Sequence, residues 1–302
     1  MLDVADVLEA RQRVMEVARR TSLDYSHTFS KTTGADVYLK LENLQRTGSF
    51  KIRGATNKLA HLDDDEREAG VVTASAGNHA QGVALAADRA GIDAKIVMPE
   101  YAPVSKVEAT RSYGAEVILH GIDYDAAQEK AHELEELEGR TYVHAFDDYD
   151  VMAGQGTLGL EIVEDQPDVE TVVVPIGGGG LISGVATAVK ANDPETRVVG
   201  VQAEGASAMA QSLEKGERVE TEAVDTIADG IAVGQPGSLT FEVVKERVDE
   251  LVTVSDAAIA RTVVDLLERS KTLVEGAGAV ALAAVVEEAF DSHSGMRIVR
   301  DP

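Results

Sequence analysis

At 302 residues, 44% of them hydrophobic, the chain is long enough for about two domains built around a substantial apolar core. The absence of cysteine excludes disulfides, iron–sulfur clusters, thiolate zinc and a cysteine nucleophile. Asp and Glu number 53 against 28 Lys and Arg, and the net charge of −25 disfavours nucleic-acid phosphates and anionic membranes as partners.

The opening residues Met1-Leu2-Asp3-Val4-Ala5-Asp6 carry no basic region followed by an apolar core. The longest apolar run, 277–286, is about half of what a membrane span requires. A soluble, cytoplasmic protein is expected. Short apolar strands then alternate with amphipathic helices. Strands are predicted at 37–41, 71–73, 94–98, 115–119, 171–175, 197–201, 251–254 and 296–299, with helices at 78–89, 124–138, 182–190 and 256–269 among others. Several strand candidates are continuous apolar runs, as expected when both faces are covered. Gly70, Gly91, Gly114 and Gly139 follow helical patterns as stops. The order points to an α/β fold with largely parallel sheets, in which 61–148 is a small unit inserted into a larger one. The acids are dispersed, at 63–66, 133–138, 147–148 and 217–222, as on solvated helix surfaces. An excess this large also suggests a halophilic protein, working where salt screens the self-repulsion of an acidic surface.

Three segments carry chemistry. First, the strand Thr171-Val172-Val173-Val174-Pro175 runs through Ile176 into Gly177-Gly178-Gly179-Gly180 and the helix start Leu181-Ile182-Ser183-Gly184. Such a turn exposes backbone N–H groups at the positive end of a helix dipole, which suits a phosphate. The dinucleotide spacing G-x-G-x-x-G is missing here and no Gly-Lys pair occurs anywhere, so a Walker A loop is excluded. Four glycines exceed what a tight turn needs and let the chain close around one phosphate. Second, Gly48-Ser49-Phe50-Lys51-Ile52-Arg53-Gly54-Ala55 puts a serine cap and a lysine at the opening of a helix. The dipole and the apolar Phe50 and Ile52 disfavour the charged lysine, and a neutral amine can form a Schiff base. Taken alone, the segment reads as an ordinary surface lysine. Third, Ser75-Ala76-Gly77-Asn78-His79-Ala80-Gln81-Gly82 is a strand–turn–helix unit whose N–H groups can hold a carboxylate, with the Asn78 amide left for a neighbouring oxygen. His79 reads as a cap or packing residue rather than a base. His132-Glu133 has no second histidine at zincin spacing.

Together and in this order, these segments resemble the pyridoxal-phosphate-dependent threonine dehydratases (threonine ammonia-lyases) and the related serine racemases. The similarity runs through 38–55, 75–82, Ala153-Gly154-Gln155-Gly156-Thr157 and 175–184. It is weaker at Ala228-Asp229-Gly230-Ile231-Ala232-Val233 and Val274-Glu275-Gly276-Ala277-Gly278-Ala279. The resemblance implies a two-domain fold type II enzyme, with 1–60 and 149–302 as the large cofactor-binding domain and 61–148 closing over the active site. It implies that Lys51 holds pyridoxal 5'-phosphate, takes the substrate Cα proton once released, and has Phe50 packed beside the ring. Gly177, Gly178, Gly179 and Gly180 with Leu181 would grip the phosphate. Asn78 would bond the ring hydroxyl and Gly230 would lie against the ring. Ser75, Ala76, Gly77, Asn78 and His79 would hold the substrate carboxylate. The implied reaction is β-elimination, from threonine to 2-oxobutanoate and ammonia or from serine to pyruvate and ammonia. Its partner is a small amino acid, and a homo-oligomer, dimer or tetramer, is expected.

Departures from the family pattern sharpen these expectations. Ala76 stands where serine racemases place a serine base, so dehydration is expected over racemisation. Glu204 and the Ala208 carbonyl match a divalent-ion site, but Ala210 replaces its second carboxylate, leaving a monovalent or weakly bound divalent cation as the expectation. Ser22 and Ala145 occupy usual proline positions. The family's last strand runs into a Ser-Gly-Gly-Asn segment whose serine bonds the ring nitrogen, whereas this chain reads Met296-Arg297-Ile298-Val299-Arg300-Asp301-Pro302 there. A cofactor-binding homologue with impaired turnover is therefore one alternative reading, and a serine racemase or hydroxyaspartate lyase another. From the length, the regulatory domain of the isoleucine-inhibited dehydratases is not expected.

Overall fold

The computed structural model describes residues 1–221, 223–291 and 297–300. Its strands are β1 (Leu23–Tyr25), β2 (Asp36–Lys40), β3 (Val71–Ala74), β4 (Ala94–Met98), β5 (Glu116–Leu119), β6 (Thr141–Tyr142), β7 (Thr171–Pro175), β8 (Arg197–Ala203), β9 (Glu250–Val254) and β10 (Arg297–Arg300). Six of them form a sheet in the order β1-β2-β10-β7-β8-β9, parallel throughout except for the β1–β2 pair. The other four form an all-parallel sheet, β5-β4-β3-β6. The smaller sheet is drawn wholly from 71–142 and the larger one from the chain on either side. Every strand expected from sequence is present; β1 and β6 are additional, and Met296 of the last expected strand lies outside the described residues.

The continuous valine runs become the central strands. All five residues of β7 are buried, as are six of the seven in β8. Covering both faces of a parallel sheet removes water from alternate side chains in both directions, which is why these strands do not alternate. The glycine stops also act as expected: Gly91 and Gly139 close their helices in the left-handed conformation, at φ 66° and 68°.

The helix Tyr149–Asp165 is the scaffold of the larger unit, buried without interruption over 151–163. Its glycines explain the Ala153–Thr157 stretch (153–157). A Cβ on Gly154 would come within 2.5 Å of the Arg53 carbonyl oxygen, and one on Gly156 within 2.9 Å of the Gly184 carbonyl. The helices Lys51–Ala60 and Gly180–Asn192 therefore lie against this one backbone to backbone. Their N-termini, which bear the lysine and the tetraglycine loop, are fixed relative to each other by contacts no side chain can soften.

Behind Lys51 lies a buried ionic network. Arg53 donates to Glu42 through Nε and Nη2, each at 2.8 Å, and to Glu161 through Nη1 at 2.7 Å and Nη2 at 3.0 Å. Lys40 Nζ lies 2.7 Å from Glu161 and donates to the Thr21 carbonyl, also at 2.7 Å. The Thr21 hydroxyl donates to Glu42 at 2.6 Å. Burial alone would raise the Glu42 carboxyl, but the Arg53 guanidinium beside it holds it below the ordinary carboxylate range. Two cations thus face two anions in a site where an unpaired charge would be costly.

Candidate active site

Lys51 is the first residue of the Lys51–Ala60 helix. Its Nζ donates to the Ala145 carbonyl at 2.9 Å and sits 5.4 Å from the centre of the Phe50 ring. Burial lowers the amine to about 8, against the opposing charge of Glu275. The serine cap expected at Ser49 is not formed. Phe50 is already helical at φ −62° and ψ −17° and occupies the cap position without a side-chain bond. First-turn N–H groups find other partners: Arg53 bonds the Phe50 carbonyl, and Gly54 bonds the side-chain oxygen of Gln155 at 3.1 Å. Among the described residues the buried Ser49 hydroxyl finds no hydrogen-bond partner, nor does that of Ser183, one turn into the helix after the tetraglycine loop.

No position in that loop has room for a side chain. Gly179 caps Gly180–Asn192 at φ 98°. A Cβ on Gly177 would come within 3.0 Å of the Ile231 backbone, one on Gly178 would enter the Phe146 ring, and one on Gly180 would meet the Phe146 backbone at 2.9 Å. The Thr240 hydroxyl fixes the loop by donating to the Gly178 carbonyl at 2.6 Å. Leu181 buries its side chain in the apolar core, so only its backbone is available to a ligand. The result is a turn of small residues at a helix N-terminus, walled by Phe146 and Ile231.

The turn Ser75–His79 (75–79) opens the helix Asn78–Ala90, and Gly82 of that helix lies against the Lys51 backbone, where a Cβ would be 3.0 Å from the Lys51 carbonyl carbon. The Gly77 N–H donates to the Ser75 hydroxyl at 3.2 Å. His79 is buried with Nε2 2.9 Å from the Val143 carbonyl; burial, then the nearby Lys51, pushes it down to about 3. It is a neutral packing residue, as its sequence context implied. Asn78 Nδ2 donates to Glu275 Oε1 at 2.7 Å, and Gly230 adjoins both Glu275 and Ala277. The structure thus brings Lys51, the tetraglycine loop, the 75–79 turn and Gly230 into one neighbourhood. Glu204 stands apart at the surface, opening the short helix Glu204–Ala206, while the Ala210 N–H is taken by Gln202. Among the described residues no group of three or more His, Cys, Asp or Glu is placed to hold a metal.

The strap 143–148, which joins β6 to the Tyr149–Asp165 helix, was not legible as part of the site. His144 Nδ1 accepts from the N–H groups of Phe146 and Asp147 at 3.2 and 2.8 Å, and burial lowers its pKa. Asp147 and Asp148, which look like surface acids in the sequence, are helix caps. Asp147 accepts from the N–H groups of Ser238, Leu239 and Thr240 at 2.8–3.1 Å, and Asp148 caps Tyr149–Asp165. The strap is thereby tied down on both sides of Ala145 and Phe146.

The family described as pyridoxal-phosphate dependent enzyme matches residues 14–299. The chain is 56% identical over 288 residues to an L-threonine ammonia-lyase of Thermotoga maritima, covering 95% of this chain and 72% of that protein. It is 49% identical over 290 residues to the catabolic L-threonine dehydratase of Escherichia coli, covering 96% and 88%. Among solved structures, the processed form of threonine deaminase isoform 2 from Solanum lycopersicum superposes with a TM-score of 0.95 at 42% identity, over 98% of this chain and 82% of that one. Maize serine racemase superposes with a TM-score of 0.96 at 38% identity, over 99% and 92%.

Proposed function

This chain belongs to the pyridoxal-phosphate-dependent enzyme family, and on that premise we propose that it is a threonine ammonia-lyase that also accepts serine. It converts L-threonine to 2-oxobutanoate and ammonia, and serine to pyruvate and ammonia. The observation that carries the reading is the pairing of a half-buried, partly neutral amine at Lys51 with a side-chain-free tetraglycine turn at a helix N-terminus. The residues fit the cofactor. The glycine turn has the shape and dipole for a phosphate, since no position in it admits a side chain and it ends on a helix N-terminus.

When bound, the cofactor acts as an electron sink that acidifies the substrate Cα and lets the β-hydroxyl depart. Lys51 would hold it, and its freed Nζ would accept the Cα proton. An amine near 8 keeps a useful basic fraction at neutral pH. Gly177–Gly180 (177–180) and the Leu181 N–H would hold the phosphate, and Phe50 and Gly230 would lie beside the ring. Asn78 would bond the ring hydroxyl, and the 75–79 turn would orient the substrate carboxylate. His79, neutral and bonded to Val143, takes no proton in the cycle. Ala76 offers no protic group on its side, which favours elimination over racemisation.

The 61–148 unit, which carries the smaller sheet, closes over the site held by the remainder of the chain. A homo-oligomer, a cytoplasmic setting at high salt, and a monovalent or weakly bound divalent cation at Glu204 and the Ala208 carbonyl complete the proposal. The test is a product assay on the purified, cofactor-loaded protein. Release of ammonia and 2-oxobutanoate from L-threonine, lost in Lys51→Ala, supports the reading. Cofactor binding with no oxo acid from threonine or serine would reject it.

A further inference from the structure

Glu275 is exposed, and its carboxylate is directed at Asn78 and at the backbone of Gly230. Its backbone is extended, at φ −75° and ψ 168°, as the residue preceding the helix Gly276–Val286. An acidic side chain there lies at the positive end of its own helix, where the dipole favours its charge and N–H groups stand unpaired. Glu275 makes no side-chain cap there. It reaches instead to Asn78, whose Nδ2 donates to its Oε1 at 2.7 Å. The same oxygen lies 3.0 Å from where a Cβ on Gly230 would sit, so it also faces the bare backbone of that glycine. The following backbone is pinned, since a Cβ on Gly276 would come within 2.6 Å of the Ile227 carbonyl oxygen.

Two consequences follow. A carboxylate only accepts, so the Asn78 carboxamide must turn its nitrogen toward Glu275, which sets the direction of its oxygen and of its second N–H. The negative charge also acts on Lys51, favouring the protonated amine against burial. Burial pushes His79, from the Asn78–Ala90 helix, and His144, from the strap, toward the neutral form, and the Lys51 charge in turn further disfavours protonation of both.

We propose that Glu275 is a positioning residue of this site: it fixes the Asn78 carboxamide for the cofactor and supplies negative charge opposite the Lys51 amine. This rests on the reading of Lys51 and Asn78 as cofactor ligands. The two halves of the role are separable. In Glu275→Gln the side-chain oxygen still accepts from Asn78 but the charge is gone; in Glu275→Ala both are lost.

The experiment uses the wild-type chain and both variants. In the apoprotein, the reactivity of Lys51 toward trinitrobenzenesulfonate is followed against pH, with the modified peptide identified by mass. Pyridoxal-phosphate affinity is measured by absorbance titration, and melting curves confirm folding. The Lys51 midpoint should fall by roughly half a pH unit in both variants. Cofactor affinity should stay within about threefold in Glu275→Gln and weaken about five- to tenfold in Glu275→Ala. Should the alanine variant not fold, the Lys51 midpoint of the glutamine variant decides. A Lys51 midpoint unmoved by either substitution overturns the proposal, as does equal affinity in all three proteins. Failure of the wild type to take up the cofactor would overturn the functional reading instead, while the apoprotein titration would still report on Glu275.

Discussion

Replacing Arg53 by methionine tests whether the buried ionic network holds the lysine-bearing helix. Methionine is of similar length and keeps the apolar contacts, but Glu42 and Glu161 then share Lys40 as their remaining close cation. Stranding a buried charge in this way costs about 3–5 kcal/mol. That is a large share of the 5–15 kcal/mol typical of a folded domain. At about 2–4 °C per kcal/mol for a chain of this order of size, the melting temperature should fall by roughly 10 °C at pH 7. The pH dependence follows from Glu42. In the wild type Arg53 keeps Glu42 below its unfolded value, so its contribution is present above about pH 4.5 and is lost as pH falls through the lower folded value. Without Arg53, burial favours the protonated acid, so the gap between variant and wild type should narrow as pH falls toward 4. Arg53→Lys, which keeps charge without the two-pronged geometry, should lie between the two. Differential scanning calorimetry at several pH values reads all of this. A melting temperature within about 2 °C of wild type, or a gap that widens in acid, would refute the reasoning.

Gly154→Ala places a methyl group 2.5 Å from the Arg53 carbonyl oxygen, and the two helices must part to admit it. A loss of about 1–3 kcal/mol is expected, read by urea denaturation, together with weaker cofactor binding because the separated helices carry the lysine and its support. Ala76→Ser should introduce measurable conversion of L-serine to D-serine, scored by chiral chromatography, where the parent gives pyruvate almost alone. With a net charge of −25, thermal unfolding should shift upward as potassium chloride is raised to molar levels, and a flat response would remove the high-salt proposal.

What the sequence made legible was local or repeated. The strands β3, β4, β7 and β8 stood out because a strand covered on both faces reads as a nearly continuous apolar run, broken here only by Lys95, Arg197, Gln202 and two threonines. The tetraglycine turn stood out because four adjacent sites each forbid a side chain, a constraint written directly into composition. What stayed hidden was made by distance. Strands β1 and β6 are three and two residues long, too short for any period. Asp147 resembles its surface neighbours until it is seen to cap a helix more than ninety residues away in sequence. Arg53, Glu42 and Glu161 are ordinary charged residues in a linear reading, and only the packing of the 149–165 helix shows them paired. Ser49 was misread for the opposite reason. A serine just before a helix usually caps it, but here tertiary partners reach the first-turn amides first.

We propose that Lys51 is the residue joined to pyridoxal phosphate. Borohydride reduction of the cofactor-loaded protein, followed by proteolysis and mass spectrometry, tests it most directly. A phosphopyridoxyl adduct on the peptide containing Ser49-Phe50-Lys51, absent from Lys51→Ala, is the expected result. An adduct on any other lysine, or one that persists in that variant, would contradict it.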